Sequence, residues 1–543
     1  MKSESLHSLR RQTATEERDP PARQKSSAFA PPATATVFRS SASRRRFAGF
    51  LTVAFLIVAG FQISRHVMWF DEWQSWLIAK DAGSIRGLFR NLHYETHPPL
   101  WHLCLYAITR ITGDVRAMQA FHLALAATGV FIVAAWSPLT RRQAVLYAFG
   151  YFVIYEYCVI SRCYVLGLIL TLVAAGLFRR GPGRLGFYLV LAALAQVDAF
   201  SMALALALAA ADVSRTVRGI ITGSPPTRAR LGVWTLGMIV FAGSCVTAYL
   251  RIMPAPDCTY ANTHGLPINP LAAAGSLFCV WAPIPQFTPH FWNTNILDGT
   301  LDSLMVDSQT LQAVYSAVLF VLAILLFSDS AEAVVLFVLG CIGIIVELCL
   351  SRQTVFRHAG HLFILLIASY WIAEDTATPA KKRASARRAF LTFILIVQLI
   401  PAAWAFYVEG TLPFSESLAV ANFIKRNFPP DIPVVAGDDM AATALSGYLG
   451  RPVYFASRQA YGTYLIWDSR RPARFDPFSP MIDFQARCKR DAIFLLPPYW
   501  IADGHAKPPP ELHLKVLGEF DHLIYYRDAY EVTLAKYVPP SGH

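Results

Sequence analysis

The sequence predicts a mainly α protein: a polytopic membrane helical bundle of about eleven spans, a periplasmic loop carrying a juxtamembrane helix, and a small C-terminal α/β domain. Three observations predict it. The chain of 543 residues is 55% hydrophobic and only 15% charged, a balance found in membrane bundles and not in ordinary soluble domains. Apolar runs recur up to residue 408 and are divided by short basic clusters. Beyond 408 the runs shrink to strand length and alternate with amphipathic stretches, which is the pattern of an α/β unit.

Residues 1–47 are polar, rich in Pro, Ser, Ala and Arg, and aperiodic, so a disordered cytoplasmic N-terminus is expected there. Apolar runs follow at 48–68, 117–137, 143–160, 164–178, 185–199, 201–213, 233–252, 311–327, 332–350, 359–374 and 389–408. The stretch 98–111 sets the phase of everything after it. If it lies along the membrane surface, the clusters Arg44–Arg46, Arg141-Arg142, Arg179-Arg180, Arg215 to Arg230 and Lys381 to Arg388 all fall on one side. The positive-inside bias selects that arrangement. It makes 48–408 the transmembrane catalytic domain, with 69–116 as the first outside loop and 253–310 as the second. The tail 409–543 is then an outside α/β domain. For a multi-pass protein of a bacterial inner membrane, outside means the periplasm.

In the tail, Ser415 to Phe428 and Asp439 to Leu449 read as helices. Strands are expected at 432–436, 452–455, 492–496 and within 514–537. The net charge of +12 does not signal nucleic acid, because no basic stripe with interleaved aromatics accompanies it. The nine cysteines form no CxxC pair, so no zinc or redox signature is present. Cys258 and Cys279 share the second outside loop, and both a disulfide and two unpaired thiols fit that placement.

The chemistry concentrates in Phe70-Asp71-Glu72-Trp73 and His97-Pro98-Pro99-Leu100-Trp101. Adjacent carboxylates where a membrane helix ends are costly unless they serve water, an ion or a substrate. On the predicted topology the rim Ser161-Arg162-Cys163-Tyr164 and the segment Phe356-Arg357-His358 reach the same face. Arginine suits a phosphate because its planar fork donates parallel hydrogen bonds and keeps its charge. One carboxylate of the pair Asp71 and Glu72 is therefore a candidate general base. Arg162, Tyr164, Arg357 and His358 are candidates for binding a donor phosphate, and Glu95, His97, Trp101, Trp292 and Asn293 for binding substrate. His93, His97 and Glu95 are also competent metal ligands, so a divalent cation stays open as a cofactor beside a plain structural His-Pro turn. Glu156, Asp198 and Glu347 lie in or near apolar runs, where a functional role and an interhelical hydrogen bond are equally open.

Taken in order, these motifs resemble the GT-C superfamily of membrane glycosyltransferases. The closer likeness is to its polyprenyl-phosphate-dependent branch, with the lipid A aminoarabinose transferases, the protein O-mannosyltransferases and the RgtA-like galacturonosyltransferases. The likeness covers residues 48–373. It implies that Asp71 is catalytic and that Arg357 lies near the donor phosphate. This chain has His358 where the family often has tyrosine, and Gln196-Val197-Asp198 where many members carry a histidine. The expected partners are a polyprenyl-phosphate sugar donor, membrane lipids and a lipid, glycan or protein acceptor, with no nucleic acid. The rival from another class is a lipid-linked glycan transporter or flippase. That would place polar groups near the bilayer midplane and show related halves, and no internal repeat is visible here.

Overall fold

The computed structural model describes residues 41–179, 184–259, 269–299, 307–377, 381–471, 476, 478–498, 509 and 511–538. The expected disorder of the N-terminus thus falls largely outside the described residues. Where it is described, the chain is already helical.

Helix α1 (Ala42–Ile63) starts before the apolar run because the Ser41 side chain accepts the Arg44 amide, a standard N-cap. Arg44 then donates to the carbonyls of Ala134, Ser137 and Leu139 at 2.6–2.9 Å, where the next long helix ends and its carbonyls lack intrahelical partners. The helices that follow are α2 (Phe70–Lys80), α3 (Ile85–Asn91), α4 (Leu100–Thr109), α5 (Arg116–Trp136), α6 (Arg141–Ala148), α7 (Tyr164–Phe178), α8 (Leu185–Ala195), α9 (Ala199–Ile221) and α10 (Arg228–Ile252). After them come α11 (Pro270–Trp281), α12 (Ser308–Phe327), α13 (Ala331–Ser351), α14 (Phe356–Ala359), α15 (His361–Thr376), α16 (Lys381–Val397) and α17 (Leu399–Glu409).

Among the described residues eight helical stretches are long and apolar enough to cross a membrane, with α14–α15 and α16–α17 each counted as one. Helices α7, α8 and α11 are apolar but shorter. The run 143–160 departs from expectation. It is not one helix: α6 stops at Ala148, and a π-helical turn covers Phe152–Glu156. The Tyr151 amide leaves the helical ladder and donates to the Gln398 carbonyl at 3.1 Å, so the chain breaks at the α16–α17 junction. The stretch 98–111 forms only the 10-residue α4, about half the length a span needs. Its first amide, which like any helix-start amide has no intrahelical acceptor, donates to the Gln196 carbonyl. All nine cysteines are free thiols, so Cys258 and Cys279 are not joined.

The C-terminal segment adds α18 (Ser417–Asn427), α19 (Asp439–Leu449) and α20 (Phe478–Cys488) around one mixed sheet. Its strands are β1 (Val434–Ala436), β2 (Val453–Phe455), β3 (Ala460–Gly462), β4 (Ala492–Leu496), β5 (Leu514–Phe520) and β6 (Tyr530–Ala535), ordered β3-β2-β1-β4-β6-β5. β1 is parallel to both β2 and β4 and the other pairs are antiparallel. Alternation sends Val434, Ala436, Ile493 and Leu495 to one face under α18 and α19, while Val435, Phe494 and Leu496 face α20, as period 2 requires.

This lobe docks directly on α2. The Gln74 amide donates to the Leu465 carbonyl at 2.8 Å and accepts its N–H at 3.1 Å. Trp73 meets Tyr448 edge-on at 4.8 Å. Gly447 lies so close beneath the Trp73 ring that a Cβ there would overlap it. Gly447→Ala should therefore cost about 1–3 kcal/mol through overpacking. The check is the thermal midpoint together with proteolytic release of the C-terminal lobe, and an unchanged midpoint would show the contact to be slack.

Candidate active site

Asp71 and Glu72 open α2, where unsatisfied amides and the helix dipole favour carboxylates. Adjacent helical residues diverge by about 100°, and here that divergence separates two roles. Glu72 points inward and is fully buried. Its Oε1 accepts the Ser161 amide at 2.7 Å, and its Oε2 accepts the Trp69 amide at 3.2 Å and lies 2.8 Å from His66 Nε2. Asp71 points the other way, toward two guanidinium groups.

Arg162 follows the amide that Glu72 holds. Its Nη1 donates to the Asp71 carbonyl at 2.6 Å and to Ser75 Oγ at 2.8 Å, and its Nη2 lies 3.7 Å from Asp71 Oδ2. His122 from α5 sets its Nε2 2.9 Å from the Arg162 carbonyl and 3.2 Å from its amide, while its Nδ1 donates to the Cys158 carbonyl at 2.9 Å. Arg357 comes from the short helix α14. Its Nη2 is 3.3 Å from the same Asp71 oxygen, and its guanidinium lies 5.1 Å over the Trp69 ring and 5.5 Å from Trp292. Trp292 is fixed by donating its indole N–H to Glu156 at 3.1 Å. Asn293, in a left-handed conformation, accepts the Phe356 amide at 2.7 Å. At the other end of α14, Gly360 packs so tightly on Tyr157 and Phe152 that a Cβ would collide with both.

The three charged side chains are 16% (Asp71), 10% (Arg162) and 13% (Arg357) exposed, so they reach the surface through a narrow opening. Two cations share one anion. Arg162 Nε, Arg357 Nε and the Trp69 indole N–H are buried without a hydrogen-bond partner. Groups left this way are costly in a native structure and point to a missing acceptor.

His358 Nε2 lies 3.0 Å from the Tyr164 hydroxyl, and its ring stacks on Phe200 at 5.0 Å. Behind it, His361 approaches Ser201 and Asp198 at 3.3 and 3.5 Å, so Asp198 caps α9 and closes an interhelical contact. Glu95 Oε1 accepts from Gln74 at 2.7 Å. Burial pushes its carboxyl up to about 7, against the opposing pull of the Gln74 hydrogen bond and the Arg162 charge. His97 Nδ1 donates to the Glu95 carbonyl at 2.6 Å, and burial followed by the Arg162 charge lowers its pKa. Between them Thr96 has φ of 51°, a strained conformation for a β-branched residue.

Some expected roles take another form. Trp101, expected to bind substrate, is 1% exposed and packs between Phe121 and His122; it belongs to the core that supports Arg162. Trp292 is buried 5.5 Å from the Arg357 guanidinium, and the half-buried Asn293 holds the start of α14. Glu72 acts inward. Several residues at the site were not anticipated. Tyr525 from the C-terminal lobe meets Trp69 at 4.8 Å and Trp292 at 5.4 Å, and Ser75 holds Arg162. An i,i+4 reading of α2 from Asp71 would have pointed to Ser75; nothing in the local pattern marks Tyr525. Among the described residues no group of three or more His, Cys, Asp or Glu side chains gathers as a metal cage.

Arg44–Arg46 and Arg141-Arg142 open α1 and α6, and Arg218 lies in the last turn of α9, while Arg387-Arg388 lie two turns into α16. Fold and site together define a polytopic helical protein with an acid and two arginines at one rim of its bundle. Two solved structures of ArnT from Cupriavidus metallidurans are similar to this chain. One, bound to undecaprenyl phosphate, is 11% identical with a TM-score of 0.45 over 91% of this chain and 98% of its own. The other, in the apo state, is 13% identical with a TM-score of 0.43 over 90% and 97%. No family model matches the chain, and no curated protein matches it.

Proposed function

We propose that the protein is a membrane glycosyltransferase that moves a sugar from a polyprenyl-phosphate donor to an acceptor hydroxyl of a lipid, glycan or protein. One observation carries the reading: two buried guanidinium groups share the Asp71 carboxylate while keeping donors unspent. A lipid phosphate seated at headgroup level would take those donors.

In this mechanism Asp71 is displaced from the arginines when the phosphate arrives. A carboxylate held by two cations is a poor base. Released from them, it accepts the proton of the acceptor O–H. The acceptor oxygen attacks the anomeric carbon, the carbon–oxygen bond to phosphate breaks, and the phosphate leaves with both electrons. Arg162 and Arg357 stabilise the charge that develops on it. Attack opposite the leaving group inverts the anomeric centre. Phosphate needs no proton to leave, so one carboxylate suffices. Donor binding thereby switches on its own base. Tyr164, His358, Glu95 and His97 line the approach and orient the sugar, while Glu72 holds the Arg162 segment. A periplasmic site with a cytoplasmic N-terminus follows if the basic clusters face the cytoplasm.

The test supplies the purified protein, in vesicles, with labelled polyprenyl-phosphate sugars and separately with nucleotide sugars. Transfer from at least one lipid-linked donor and none from nucleotide sugars is expected. Transfer from nucleotide sugars alone would overturn the donor assignment.

A further inference from the structure

Behind the site lies a second charged cluster that the transfer chemistry does not use. His66 follows the end of α1. Its Nε2 is 2.8 Å from Glu72 Oε2, and its Nδ1 is 2.5 Å from Glu409 Oε1. Glu409 ends α17, and its second oxygen accepts from Gln62 on α1 at 3.1 Å. All three charged side chains are at most 1% exposed. The junction of α1 and α2 therefore meets the end of α17, 343 residues further along the chain, at one buried imidazole. Such a cluster is poor evidence for stability, since well-packed apolar residues often serve as well. A positional role accounts for it better.

The connections run both ways from His66. Toward the site, Glu72 passes the constraint to the Ser161 amide, and Arg162 is the next residue. Toward the C-terminal lobe, the chain leaving Glu409 reaches Phe414 within five residues. Phe414 packs on His66 at 5.1 Å and on Trp292 at 5.0 Å, and its carbonyl accepts the Tyr525 amide. The same cluster thus fixes the backbone bearing one phosphate arginine and the aromatic cage around the other.

We infer that His66 and Glu409 are positioning residues, which act through Glu72 to set Arg162 against Asp71 and so govern the rate of transfer without touching substrate. This rests on the transferase reading above. A misplacement of about 1 Å in a reacting group can cost about 100-fold in rate.

The experiment uses full-length protein carrying Glu409→Gln, which keeps shape and hydrogen bonding but removes the charge. With a labelled lipid-linked sugar, kcat should fall about 10- to 100-fold while KM stays within about threefold. Amide exchange of the peptide holding Ser161 should accelerate, and adding Glu72→Gln should give a loss no larger than that of Glu72→Gln alone, because both act on one path. Unchanged kcat and unchanged exchange, or two losses that multiply, would overturn the inference. If Glu409→Gln does not fold, Gln62→Leu, which frees the carboxylate from one side only, should show a smaller shift in the same direction. If wild type transfers from no lipid donor, the transferase reading falls, and the exchange of the Ser161 peptide alone decides the positional link.

Discussion

Asp71→Asn is expected to lower transfer by about 10²- to 10⁴-fold, the usual contribution of a general base, while binding undecaprenyl phosphate about fivefold more tightly than wild type. The second half distinguishes this account from simple loss of a site. The Asp71 carboxylate lies 3.3 Å from Arg357 and 3.7 Å from Arg162, where the proposed phosphate would sit. An amide of the same shape no longer competes for the two cations and no longer repels the phosphate. Desolvation offsets most of the attraction within a buried pair, so its net competition is about 1 kcal/mol, no more than at an exposed pair, which is about fivefold in affinity. Binding by intrinsic fluorescence or calorimetry, with transfer measured in parallel, checks both halves. Weaker binding in the variant would mean that Asp71 helps to hold the lipid and is not displaced by it.

Arg357→Ala should reduce both binding and turnover. It removes a charge from the proposed phosphate seat and the guanidinium that packs against both Trp69 and Trp292, whose rings themselves meet edge to face at 5.0 Å. Truncating one member of a buried charge pair costs about 2–5 kcal/mol, so undecaprenyl phosphate affinity should fall at least about 30-fold. Arg357→Lys should recover part of the binding and little of the turnover, because an ammonium keeps the charge but neither stacks on the tryptophans nor presents a planar fork. Equal recovery of both would show that charge alone matters at this position.

The cluster behind the site also predicts a pH dependence. Burial works to lower the His66 pKa, but the carboxylates of Glu72 and Glu409 outweigh it and hold the imidazole up to about 10. The unfolded value is about 6.5. A raised pKa contributes stability that is fully present below about 6.5 and is lost as pH climbs through about 10. The thermal midpoint should therefore fall progressively between those values. In His66→Gln the same titration should be flatter, and an identical slope would contradict the pairing.

How much of this was legible in the sequence depended on what kind of signal each residue leaves. The long apolar runs declare the bundle, and the period-2 tail declares the sheet, because each buries one kind of face. Asp71, Arg162 and Arg357 stand out because charge beside an apolar run is expensive and needs a reason. Their assembly at one rim follows from counting crossings. The break at Gly150-Tyr151 is invisible in hydropathy, since the partner of the Tyr151 amide lies 247 residues away at Gln398. His66 and Glu409 were passed over for the same reason: each is an ordinary polar residue at a helix end until the fold brings them within 2.5 Å. Trp101 misled in the opposite direction. Its motif marks the turn before α4, but the ring itself goes into the core.

The steps of the mechanism hang on where the lipid phosphate sits. A cryo-electron microscopy structure of the protein with undecaprenyl phosphate tests that directly. The account predicts phosphate oxygens within about 3 Å of the guanidinium groups of both Arg162 and Arg357, with Asp71 drawn away from them and open to an acceptor. A phosphate bound elsewhere, with both Asp71–arginine pairs intact, would contradict it.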